Sequence, residues 1–177
     1  MARRDLPEEN NVVISRPTRK WPPEALKHLP DGIRDSKALH ILMLFKYDEP
    51  LTVEDFRGAI NAHYSYKQQN KLKDKDLEVF LISTIPLRRA VLDELGYKRT
   101  RRAGVYRSKD PLFSLVPIIY PGELRNRRHN ASLKVIVGPK NERLEAFDAL
   151  KEDMLLSEEV KKQLDELRAE AAALDES

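Results

Sequence analysis

The chain has 177 residues, of which 41% are hydrophobic and 34% charged, with a formal net charge of +3 and a pI near 9.0. That apolar share supports a core in one domain with appendages or in two small domains. The lack of cysteine excludes disulfides, thiolate metal sites and a cysteine nucleophile. No run approaches the roughly 20 apolar residues that cross a bilayer, and the N-terminus has no apolar run of signal-peptide length. A cytoplasmic or nucleoid-associated protein, with no membrane partner, is expected.

Residues 1–35 read as a basic, proline-rich arm with Pro7, Pro17, Pro22, Pro23 and Pro30. Val12 to Ile14 is its one apolar run, suited to an edge strand or to packing on the body. Arg16, Arg19 and Lys20 flank Trp21, the single tryptophan. They form either an arm that follows nucleic acid or a strap anchored by Trp21, and the strap is preferred because lone aromatics beside prolines mostly anchor extended chain. Pro23 to Lys27 fits a helical turn or two, ended by the turn sequence Pro30-Asp31-Gly32.

Ser36 to Lys46 has the period of a buried helix, with Leu39, Leu42, Met43 and Phe45 apolar and Asp48-Glu49-Pro50 breaking it. After a short extended Leu51-Thr52, a second helix begins at Val53, with Thr52 and Asp55 spaced almost as a capping box. His63 to Asp76 is polar and reads as a mobile loop with lysines and tyrosines. Leu77 to Ser83 is apolar, and is expected as a helix or a tight turn ahead of the next element. Thr84-Ile85-Pro86 opens a helix running to Leu95, with Thr84 as N-cap, Pro86 in the first turn and Gly96 as the stop. Tyr97 to Thr100 and Val105 to Ser108, joined by Arg101-Arg102-Ala103-Gly104, form a basic hairpin. From Pro86 to Lys109 eight basic residues stand against two acidic ones, a net of +6. This arginine density suits phosphate contacts, although solvated surfaces carry such patches too.

Helix, short strand, helix, a capped helix ending LDELGY and a basic hairpin follow one another over about residues 36–109. The order resembles a winged helix-turn-helix domain, with a long polar insertion at His63–Asp76 as a departure. The resemblance implies an α+β fold, a winged-helix-like core of helices with a β-hairpin wing. It implies that Pro86–Leu95 enters the major groove, with Arg88 and Arg89 on base edges and Asp93 beside them. It further implies Lys98, Arg99, Arg101 and Arg102 on the backbone or minor groove, and Arg107 and Lys109 on phosphates. Double-stranded DNA is then the partner and transcription regulation the role. The alternative is an adaptor that meets protein or a ribonucleoprotein in a larger assembly.

Residues 110–140 are expected to hold extra short strands: Leu112–Val116 and Ile118–Tyr120 split by Pro117, and a cleaner one over Ser132–Val137. They either extend the wing sheet or stand alone, and Pro117 argues for an edge or a bulge. Arg125, Arg127 and Arg128 form a second basic loop, counted with the DNA-binding residues, and His129 beside them can reach phosphate. Residues 141–177 read as C-terminal helices. Val160, Leu164, Leu167, Ala171 and Leu174 step at coiled-coil spacing, fit for a homodimer, a partner protein or packing on the chain's own body. From Glu142 onward twelve acidic residues oppose five basic ones. No phosphate-loop glycine motif, HExxH pair or GxSxG elbow occurs. No enzyme activity, metal or cofactor is therefore expected.

Overall fold

The computed structural model describes residues 11–47 and 49–137, with positions 145, 146, 165, 169 and 173. Within them six strands form one mixed sheet in the order β1-β2-β3-β6-β5-β4. The strands are β1 (Asn11–Ser15), β2 (His40–Lys46), β3 (Leu77–Ser83), β4 (Tyr97–Arg99), β5 (Val105–Ser108) and β6 (Ile118–Ile119). The helices are α1 (Pro23–Leu26), α2 (Val53–Gln69), α3 (Arg89–Glu94) and α4 (Ala131–Val137). The protein is thus α+β, and its sheet draws strands from the arm, from residues 36–109 and from residues 110–140.

β2 and β3 pair in parallel from His40↔Leu77 to Lys46↔Ser83, joined by α2, and β6 pairs in parallel with β3. β5 is antiparallel to β6 and β4 antiparallel to β5. Consequently β2, β3, β6 and β4 all point one way. The period-2 register sorts the side chains onto two faces. One face carries Ile41, Met43, Phe80, Ile82, Ile119 and Val105, covered by Ile33, Leu124 and Leu133. The other carries Leu81, Ile118 and Tyr97 under Phe56, Ala59 and Ile60 of α2. Those α2 residues, with His63, recur at the spacing of a single helical face. The Asp55 carboxylate accepts from the Thr52 backbone N–H at 2.7 Å and from its hydroxyl at 2.9 Å, starting α2 as its sequence implies.

Six expectations are corrected, the first being Leu112–Val116, where Phe113–Leu115 is a 3₁₀ turn and not a strand. Ser36–Lys46 is not a helix: Ser36 lies in a turn and His40–Lys46 is the strand β2. A strand covered on both faces reads as a continuous apolar run, which periodicity cannot separate from a buried helix. The same reason makes Leu77–Ser83 strand β3 rather than helix or turn. The insertion is ordered instead of a loop, since α2 runs on to Gln69 and Asp74–Asp76 is a 3₁₀ turn. Ser132–Val137 lies in helix α4, where Ala131, Leu133 and Lys134 are buried together, rather than in a strand. Pro117 stands neither at an edge nor in a bulge. It immediately precedes the interior strand β6, where no N–H is required, and its carbonyl accepts from Leu81 N–H at 3.0 Å.

The arm behaves as a strap. β1 is an edge strand pairing antiparallel with β2. Arg16 donates to the carbonyls of Ala38 and Ser36 and lies 3.9 Å over the Trp21 ring, which packs on the core. Arg19 pairs with Asp76 and donates to the carbonyls of Lys37 and Lys75. No helix of the described residues is long and apolar enough to cross a membrane.

Candidate nucleic-acid interface

The hairpin forms where the sequence places it. Lys98 opposes Arg107, and Arg99 opposes Tyr106. Gly96, at φ +72°, ends the turn after α3, and Gly104, at φ +77°, closes the hairpin tip. A Cβ on Gly104 would lie 2.6 Å from the Tyr120 carbonyl oxygen and 2.9 Å from Leu124 N. Only glycine lets the tip seat against residues 120–124, where Tyr120 N–H donates to the Gly104 carbonyl at 2.8 Å. Because β4 runs with β2, β3 and β6, the tip lies at the carboxyl ends of these strands.

Asp31, 4% exposed, joins three segments there. Its backbone N–H donates to Asn130 Oδ1 at 2.8 Å, and the Asn130 amide returns a bond to its carboxylate at 3.0 Å. His129 Nε2 lies 3.1 Å from the same carboxylate and Arg102 lies 3.6 Å away. Arg102 also makes a two-pronged contact with Asp35 at 3.1 and 3.2 Å, which raises its pKa further. The Asn130 amide also donates to the Arg125 carbonyl at 3.0 Å, and Asn126 bonds Glu145. The turn after α1, the hairpin tip and the 125–130 loop are therefore tied through one buried carboxylate. Beside it, Gly32, Asp35, Thr100, Arg101, Arg102 and Arg107 line an open groove of about 300 Å³.

The sequence-derived site residues divide by what already occupies them. Arg101, Arg99, Lys98, Lys109, Arg125, Arg127 and Arg128 are exposed. Among the described residues none of these side chains makes an ion pair. Arg102 is committed to Asp35 and Asp31, and Arg107 to Glu78 at 2.7 Å across the sheet. His129, expected near phosphate, is turned onto Asp31.

The helix start is corrected. α3 begins at Arg89 with Arg88 as its N-cap, so Thr84 does not cap it, and Thr84 N–H instead bonds the Lys46 carbonyl. α3 is only six residues long, and Leu87, Val91 and Leu92 at its start and on its inner side pack on the core. Its exposed residues Arg89, Asp93 and Glu94 roughly cancel in charge beside Arg88, and Arg89 lies 3.6 Å from Asp93. Positive charge is thus concentrated on the hairpin and the 125–128 loop rather than on the helix. The stripe Val160, Leu164, Leu167, Ala171 and Leu174 lies outside the described residues.

Asp31, Asp35 and Asn130 were missed in the sequence. The turn Pro30-Asp31-Gly32 was legible, but nothing local shows that its aspartate reaches a residue 99 positions away. Compared with family models, curated proteins and solved structures, the chain matches none.

Proposed function

We propose that this protein binds double-stranded DNA through its phosphate backbone, using the hairpin tip and the 125–128 loop as one surface. The observation that carries this reading is the Asp31 junction. It draws together two arginine-rich segments some two dozen residues apart while leaving Arg99, Arg101, Arg125, Arg127 and Arg128 without ion pairs among the described residues. An arginine with no internal partner is free to meet phosphate through its planar fork of donors. Arg102 and Arg107 are assigned to holding the surface in shape, with Arg101 as the phosphate contact of the groove.

The reading keeps the helix-then-hairpin part of the winged-helix order, α3–β4–β5, and gives that helix a smaller part. A six-residue helix of balanced charge suits contact beside the backbone better than base readout. Backbone contacts position a protein and carry little sequence information, so structural rather than sequence-specific DNA binding is favoured. A regulatory role is the broader function that the winged-helix resemblance implies.

The test is fluorescence anisotropy with a random labelled duplex across a salt series. With about five phosphate contacts at ~0.9 each in the log–log slope, affinity falls roughly 500-fold between about 50 and 200 mM salt. Replacing Arg125, Arg127 and Arg128 together by Ala reduces the slope by about 2.7. Absence of binding at low salt, or an unchanged slope in the triple variant, refutes the proposal.

A further inference from the structure

A second pocket lies at the other end of the strands from the hairpin tip. It has a volume of about 280 Å³ and is lined where β2 and β3 begin, with Lys37, His63, Asp74, Lys75, Glu78 and Ser114 in its wall. Its charges are unevenly answered. The Asp74 carboxylate is taken by Lys67 at 2.5 Å and the Glu78 carboxylate by Arg107 at 2.7 Å. Lys37 and Lys75 are exposed and make no ion pair among the described residues. Arg19 binds only their backbone carbonyls. Two ammonium groups are therefore left over at the rim.

His63, 1% exposed, also lines the pocket, and its Nδ1 is buried without a hydrogen-bond partner among the described residues. Buried polar atoms are almost always paired, so an orphan ring nitrogen in a pocket wall asks for an occupant. Burial first, and then Lys67, hold this imidazole below the ordinary histidine range, with Asp74 opposing them. A neutral imidazole retains one N–H to donate. Two unanswered cations over a donor describe a site for negative charge borne on oxygen.

The geometry points to a binding site for a small oxyanion, a carboxylate or a phosphate, held between Lys37 and Lys75 with the His63 ring as its buried hydrogen-bond partner. The volume limits the occupant to a small molecule or a single end group. The site is independent of DNA binding, and its ligand is positioned by the start of the β2–α2–β3 unit.

The experiment uses the full chain labelled with ¹⁵N. Imidazole NMR spectra are followed while inorganic phosphate or acetate is added at ionic strength held constant with sodium chloride. The His63 resonance shifts and saturates, while those of His28 and His40 serve as internal references. A response to phosphate alone identifies a phosphoryl ligand, and a response to acetate identifies a carboxylate. In the Lys37→Gln/Lys75→Gln variant, which alters only exposed side chains, the affinity falls at least about ten-fold, the equivalent of one factor of ten in binding constant. A shift that rises without saturation, that chloride reproduces, or that survives in the double variant overturns the inference.

Discussion

Replacing Asp31 by Ala probes the junction on which the arginine surface depends. The substitution removes the acceptor of the Asn130 amide at 3.0 Å and of His129 at 3.1 Å, and the carboxylate facing Arg102 at 3.6 Å. Hydrogen bonds to charged acceptors contribute about 1.5–3 kcal/mol each, and the one from wholly buried Asn130 takes full value. His129 and Arg102 are partly exposed, so their contributions are discounted for screening. The total is about 3–4 kcal/mol, within the range for removing one partner of a buried charged group. For a chain of this size that lowers Tm by roughly 6–16 °C, read by circular dichroism and checked against urea midpoints. Asp31→Asn keeps the shape but sets one amide donor against another, and costs roughly 2 kcal/mol. Duplex affinity supplies an independent sign. Deleting a negative charge from a basic surface strengthens phosphate binding if charge alone matters, whereas losing the junction weakens it. We expect weakening. A Tm loss under about 2 °C, with DNA affinity unchanged or raised, would refute the reasoning.

Further outcomes follow from the same geometry. Arg101→Ala weakens duplex binding and leaves the urea midpoint in place, whereas Arg102→Ala lowers both, since Arg102, unlike Arg101, holds Asp35 and Asp31. Gly104→Ala costs more than about 2 kcal/mol, because the left-handed penalty adds to a Cβ held 2.6 Å from a backbone oxygen. It also speeds hydrogen exchange at the Tyr120 amide. Gly96→Ala, where the nearest contact is the Ser108 hydroxyl at 3.2 Å, costs about 1–2 kcal/mol by the same measurement. Burial, and then the Glu123 carboxylate at 2.7 Å, push the Tyr106 hydroxyl up to about 12. The folded state then holds a proton that the unfolded chain gives up. This stabilisation is complete below pH 10 and declines as pH rises from 10 to 12. Urea midpoints taken over that window fall less steeply in Tyr106→Phe, and equal slopes in the two proteins would contradict the assignment.

How far the residues speak for themselves varies along the chain. The Thr52–Asp55 pair, the start of α2 at Val53, Gly96 as the stop after α3 and the hairpin Tyr97–Ser108 were all legible, because each depends on contacts within a few residues. The strap was legible too, since Trp21 beside prolines has few other uses. β2 and β3 were not, because Leu42 and Val79 pack under one layer while Met43 and Phe80 pack under the other. Covering both faces erases the alternation that marks a strand, and α4 was misread for the converse reason, a short apolar run whose every second residue imitates one. For the candidate site, the sequence alone determined which residues carry the charge: Arg101 and Arg102 at the hairpin tip, and Arg125, Arg127 and Arg128 in the loop. Only the tertiary structure decided which of them are available. An ion pair between Arg102 and Asp35, or a bond from Asn130 to Asp31, joins positions 67 and 99 apart. Such pairs form once the sheet has brought the segments together, so the local sequence carries no trace of them.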